Sequence, residues 1–296
     1  MHRRALLALP VIVSPANGLA QPRSVAVASF SILGDLLREV AGARMDIRVI
    51  AGPDVDAHHF QPRPSHAAAV REARLLLRNG AGFDGWFNRL ASSSGFAGVM
   101  VTATEGLTLR RAIPTPGHDH GAQDPHAWQD ARLAIGYIRN IEAGLIRADP
   151  AGGGEYRARA AAFITRLETL DAWVRTEIAR VPEARRVVVT SHDAFAYFGA
   201  AYGVRFLAPQ GIAANAEPSA QHVAALIRQI RSARIMAVFI ENMSNPATLR
   251  RLAEEAGVRV RGRLYADALS APDGPAGTYE AMMRHNTGLM VAAMLE

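Results

Sequence analysis

The sequence predicts an α/β protein of two lobes, each built on a mainly parallel sheet flanked by helices, with one long rigid helix joining them. Three observations predict it. Short apolar runs alternate with helix-periodic segments over the first half of the chain, the βαβ pattern of parallel pairing. A single amphipathic period then runs without interruption up to Pro182. Beyond that proline the strand and helix alternation begins again.

Taken in order, residues 25–28 (VAVA) read as a buried strand and residues 32–41 as an amphipathic helix stopped near Gly42. Residues 47–50 form a second strand that runs into a loop over residues 51–64, and Ser65 is placed to cap the next helix. Leu75, Leu76 and Leu77 make a third strand, followed by a glycine-rich turn and a short helix around residues 86–90. After a polar loop, Ala134, Ile138, Ile141 and Leu145 have helical spacing as far as Asp149-Pro150, and Gly152-Gly153-Gly154 is expected to break the chain. Phe163, Leu167, Leu170, Val174, Ile178 and Val181 then recur at intervals of three and four. They define one helix of about 26 residues, ~39 Å long at 1.5 Å per residue. The second set comprises strands at 187–190, 204–207, 235–240 and 258–260. Helices are expected at 195–202, from Pro218-Ser219, from Pro246 to Gly257, and from Tyr279 toward Leu295. The expected division is a leader over 1–20, a first lobe over 21–150 with a histidine-containing loop at 115–126, the long helix within 151–182, and a second lobe over 183–296.

The chain has 296 residues, 49% of them hydrophobic, enough for a substantial core. Its net charge is +6, and all 33 basic residues are arginine. They are scattered singly, as Arg157, Arg159, Arg166, Arg175 and Arg180 illustrate, with no dense basic run or interleaved aromatics. This is a solvated face, and no nucleic-acid partner is expected. Cysteine is absent, so no disulfide, thiolate metal site or cysteine nucleophile can form. Any metal site must use His, Asp, Glu or water. The N-terminus reads as a secretory signal: a basic His2-Arg3-Arg4, a short apolar run over residues 5–13, and small residues ending at Ala20, where cleavage is expected. The run is far shorter than the ~20 apolar residues that span a bilayer, and no cysteine follows it to carry a lipid. The mature chain is expected to be soluble and exported.

Ligands of open parallel sheets bind at the carboxyl ends of strands. His58 and His59 lie in the loop after the second strand, His126 just before a helix, His192 after residues 187–190, and Asp267 after a stretch ending at Leu264-Tyr265. Converging, such groups would meet between the lobes. Three neutral imidazoles and one carboxylate are a four-coordinate, borderline-soft set that suits Zn²⁺. No nucleophile elbow, phosphate-binding loop or dinucleotide glycine fingerprint is present. A zinc hydrolase stays open as an alternative; it would need a general base, for which Glu217 and Glu241 are candidates.

Four local strings carry a resemblance. DAHHFQPRPS (residues 56–65), DPHAW (124–128), SHDAFAYF (191–198) and YADALS (265–270) resemble, in order, the ligand motifs of the solute-binding component of zinc/manganese ABC transporters. NGAGFDGW (79–86), EPS (217–219) and YEAMMRHN (279–286) extend the likeness over nearly the whole mature chain. The chain departs from the family pattern at Ala57, where proline is usual, and at Gln61, where glutamate is usual. The resemblance implies two α/β lobes with the metal between them, no enzymatic activity, and the ligands His58, His126, His192 and Asp267. His58 is taken over His59 because it stands two residues before Phe60. Manganese-type members have glutamate where His192 stands, so the resemblance points to Zn²⁺ as the transported ligand. His118, Asp119 and His120 resemble a short version of the family's histidine-rich acquisition loop, to be read either as an auxiliary metal site or as a plain solvated loop. Glu217 either caps its helix or orients a ligand imidazole. The implied partners are a cognate ABC permease in the inner membrane and a periplasmic zinc chaperone, with the carrier itself monomeric. Manganese or iron carriage and a metal-dependent adhesin are the related alternatives. Ligation needs neutral imidazoles, so affinity is expected to fall as pH drops through the ordinary histidine range.

Overall fold

The structure is a computed structural model that describes residues 23–112, 123–211, 220–243 and 245–296. The leader expected over residues 1–20, the loop residues His118, Asp119 and His120, and Glu217 lie outside the described residues.

The first sheet contains β1 (Ser24–Phe30), β2 (Met45–Ala51), β3 (Leu75–Arg78) and β4 (Val99–Thr102), all parallel, in the order β2-β1-β3-β4. Helices α1 (Ser31–Ala41), α2 (Pro64–Glu72) and α3 (Gly85–Ser93) make the crossovers. The second sheet contains β5 (Val187–Val189), β6 (Arg205–Leu207), β7 (Val238–Glu241) and β8 (Val260–Leu264), again parallel, in the order β6-β5-β7-β8. It is crossed by α6 (Ala196–Tyr202), α7 (Ala220–Ser232) and α8 (Pro246–Ala256) and followed by α9 (Tyr279–Leu295). The two sheets thus share one strand order, a repeat of topology with no repeat of sequence.

Between the sheets lie α4 (Ala131–Ala148) and α5 (Gly153–Ala179). The seam of α5 is the one its spacing predicts: Tyr156, Ala160, Phe163, Leu167, Leu170, Val174 and Ile178 are all buried. They pack on α4, α1 and α9, so this one helix touches elements that precede and follow it in the chain. A single apolar core runs through both lobes, from Ala26 in β1 to Met294 in α9, and a smaller cluster lies under α7 and α8. The helix–sheet contact is close at Gly144, where a Cβ would stand 2.2 Å from a methyl of Val101. No helix among the described residues is long and apolar enough to cross a membrane.

Several local expectations shift. Ser65 is not the cap of α2: Arg63 caps it and Pro64 takes the first helical position, where its missing N–H costs nothing. The three glycines start α5 instead of breaking the chain, with Gly152 as N-cap after a 3₁₀ turn over Pro150–Gly152. Strand β4 had no separate signal, being four residues between glycine and threonine-rich turns. The last strand lies at Val260–Leu264, starting two and ending four residues past the expected run at 258–260, because this edge strand carries arginines where a buried strand would be apolar.

Candidate metal centre

The loops that leave the carboxyl ends of both sheets converge. His58 stands in the loop after β2, and His126 opens the 3₁₀ turn Ala127–Gln129 that leads into α4. His192 and Asp267 each follow their strands, β5 and β8, by three residues. One donor atom from each of these four residues lies within 4.8 Å of all the others. His58 Nε2 is 3.3 Å from His126 Nε2 and 3.4 Å from Asp267 Oδ2. His126 Nε2 is 3.4 Å from Asp267 Oδ1, and His192 Nε2 is 3.0 Å from Asp267 Oδ2. Donors ~2.1 Å from a common tetrahedral Zn²⁺ lie ~3.4 Å apart. The separations are therefore those of a cation cage. Asp267 Oδ1 is buried and accepts no hydrogen bond from the described residues, which leaves its lone pairs for such a cation.

Carboxylates behind the histidines set their orientation. Asp124 Oδ1 accepts both the backbone N–H of His126 (3.0 Å) and its ring Nδ1–H (2.8 Å). Glu241, at the end of β7, accepts the backbone N–H groups of Ser191 (2.8 Å) and His192 (3.1 Å) and the ring Nδ1–H of His192. A proton held on Nδ1 leaves the Nε2 lone pair aimed into the cage, the arrangement metal-binding histidines use. Asp56 Oδ1 accepts the His58 backbone N–H at 2.8 Å, and Trp86 Nε1 donates to the Ala57 carbonyl at 2.7 Å, which together shape the first loop. The lobes are stitched beside the cage: Trp128 Nε1 and Gln129 Nε2 both donate to the Ala266 carbonyl at 2.9 Å, one residue before Asp267.

Charge is balanced inside the cage. Burial resists ionisation of Asp267, but His126 and His192 outweigh it and hold the carboxyl well below the usual range. Burial likewise disfavours charge on His126, yet the Asp267 and Asp124 carboxylates lift it to about 9. His192 is pushed well above its ordinary value against burial by Glu241 and Asp267. His58 goes the other way, lowered by burial that exceeds its attraction to Asp267. A divalent cation therefore has to displace protons from His126 and His192. The pH window for metal binding consequently lies higher than the ordinary histidine range expected from composition.

The remaining described histidines have other employment. His66 Nδ1 accepts the Arg63 backbone N–H at the start of α2, while His222 and His285 donate to the Ala208 and Arg263 carbonyls. His59 is outside the cage, 3.2 Å from Asp56. Sequence reasoning missed the roles of Asp124 and Asp56, although the repeated Asp-x-His spacing of residues 56–58 and 124–126 was a usable signal, since an aspartate readily accepts the backbone N–H two residues on. For His192 the orienting carboxylate among the described residues is Glu241, which no local spacing links to it.

Two parallel α/β lobes around a buried cluster of three imidazoles and one carboxylate define a two-lobe metal-binding protein. The chain belongs to the family described as zinc-uptake complex component A, periplasmic, whose pattern matches residues 26–293. It is 31% identical over 268 residues to the manganese-binding lipoprotein MntA of Halalkalibacterium halodurans, covering 90% of this chain and 87% of that one. It is 32% identical over 261 residues to the iron-binding protein YfeA of Yersinia pestis, covering 87% and 82%. Its structure superimposes on the periplasmic zinc-binding protein TroA of Treponema pallidum with a TM-score of 0.86 at 27% identity, over 92% of this chain and 99% of that one. The family consists of metal-binding, substrate-binding components of ABC transporters, not enzymes, and a cognate permease and ATPase are its working partners. The hydrolase alternative is thereby set aside, and Glu241 is a support for His192, not a general base.

Proposed function

We propose that this chain is a high-affinity Zn²⁺ carrier that captures the ion in the periplasm and delivers it to an ABC importer, with His58, His126, His192 and Asp267 as ligands. The observation that carries the reading is the donor set itself: three imidazole nitrogens gathered within 4.8 Å of one another and 3.0–3.4 Å from the oxygens of one carboxylate. Imidazole suits zinc, whereas harder Mn²⁺ favours oxygen donors. The third nitrogen favours zinc, and the Glu241 contact that aims His192 Nε2 at Asp267 supports that reading. In this reading residues 21–150 and 183–296 form the lobes, residues 151–182 the connection, and the leader is removed after Ala20. The carrier is monomeric and is loaded directly or by a periplasmic zinc chaperone. His118, Asp119 and His120 add an auxiliary capture loop.

The similarity to proteins named for manganese and iron keeps one second reading in view, carriage of those ions by the same cage. Elemental analysis of protein purified from the periplasm, followed by competitive metal titration of the wild type and His192→Glu, separates the two. One zinc per chain, bound less tightly in the variant, is the expected result. Native manganese, or zinc binding indifferent to His192, would overturn the assignment.

A further inference from the structure

The four cage residues are closed to solvent to different degrees. The side chains of His126, His192 and Asp267 are 0% exposed, and that of His58 is 3% exposed. Aromatic rings close the cage on the protein side: Phe83 lies 4.3 Å from the His58 ring and Trp128 5.2 Å from the His126 ring, between centroids. Of the four side chains, His58 alone keeps any exposure. Directly outside it stand Asp56 and His59, with side chains 29% and 38% exposed. The rings of His59 and His58 are stacked at 30° with centroids 6.0 Å apart. Exposure thus falls in steps from the outer pair through His58 to the closed cage.

We propose that Asp56 and His59 form an outer two-donor site through which the cation passes into and out of the cage, a proposal that rests on the metal-carrier reading above. His59 Nδ1 and Asp56 Oδ2 are 3.2 Å apart. Two donors chelating one Zn²⁺ at ~2.1 Å with a tetrahedral angle are ~3.4 Å apart, so the pair needs almost no rearrangement to hold a cation. The chemistry favours such a step. A hydrated divalent ion entering a fully buried cage directly would lose its water before gaining its ligands, and an unpaired charge in a dry site is costly. The outer pair replaces two waters with one nitrogen and one oxygen while the rest of the hydration shell is still in contact with solvent. Asp56 also couples the two sites, because its other oxygen holds the His58 backbone N–H.

A way-station lowers the barrier in both directions and leaves the end states unchanged. Stopped-flow zinc uptake and chelator-driven release, with Kd from competitive titration, test it on wild type, His59→Ala and His59→Asp. The expected result is that His59→Ala slows uptake and release together by about tenfold while their ratio stays constant, and His59→Asp recovers most of the rate. Rates unchanged in His59→Ala would overturn the outer site. So would a weakened Kd with faster release, which would make His59 a ligand of the cage. Wild-type protein that takes up no zinc would instead sink the zinc reading itself, so the two failures are distinguishable.

Discussion

The two lobes support their cage histidines by the same chemistry and by opposite means. In the first lobe Asp124 braces His126 from two residues away, within one turn of chain. In the second, Glu241 braces His192 from 49 residues away, reaching from the end of β7 to the loop after β5. Each carboxylate takes the backbone N–H and the ring Nδ1–H of its histidine, so each sets the tautomer and the aim of Nε2. The local brace orders a loop. The distant brace also ties two strand ends of one sheet, and Glu241 accepts a third N–H from Ser191. Loss of the distant brace is therefore expected to cost more.

The largest effect belongs to the residue both lobes share. Asp267→Ala removes the carboxylate that stands 3.0–3.4 Å from all three imidazoles, and zinc affinity should fall by more than about 100-fold, beyond what the loss of an orienting partner costs. A competitive titration giving near wild-type affinity would show that the cage is not the binding site. Glu241→Gln should follow, with affinity down by about 10- to 100-fold. Glu241→Ala should in addition destabilise the fold by about 1–3 kcal/mol for each buried N–H left without an acceptor. Asp124→Asn should weaken zinc by about tenfold, because the amide oxygen still accepts the His126 backbone N–H. If the Asn variant loses more than Glu241→Gln, the comparison between the lobes is inverted.

A pH series sharpens the same contrast. His126 is raised from an ordinary 6.5 to about 9. A histidine raised on folding lends its stabilisation fully below the unfolded value, and that contribution is lost as pH rises through the folded one. The zinc-free protein should therefore lose thermal stability between about pH 6.5 and 9 on this account. Zinc affinity has the opposite slope, rising about tenfold per pH unit for each proton displaced. In Asp124→Asn this window should move down, since one of the carboxylates that raise His126 is gone. A metal affinity flat between pH 7 and 9 would contradict the proton exchange, as flatness means that no proton leaves. The smallest effect is expected for Trp128→Phe, which deletes one donor to the Ala266 carbonyl while Gln129 keeps the other. About 1 kcal/mol of stability is at stake, read by chemical denaturation, with zinc binding nearly intact.

Much of this molecule was legible because its information is local. The seam of α5, the αL stop of α8 at Gly257 (φ +74°) and the strands β1, β2, β3 and β5 follow from periodicity and turn chemistry that a short window contains. The cage positions were legible for a related reason: His58, His192 and Asp267 stand past strand ends and His126 before a helical turn, in short strings that resemble the family's ligand motifs. Asp124 was within reach through its spacing to His126. Strand β4 was not, because four residues carry too little pattern to be told from a loop.

By itself, the sequence determined the alternation of strands and helices, the long helical seam, the absence of thiol chemistry and the candidate donors, all properties of neighbouring residues and of composition. Only the tertiary structure decided which donors meet, that Glu241 and not a nearer group orients His192, and that both sheets share one strand order. It also decided that burial lowers His58 while neighbouring carboxylates raise His126 and His192. The physical reason is that these outcomes depend on distances between segments far apart in the chain and on burial, which sets how strongly charges act on one another. Neither is written in the spacing of residues along the chain.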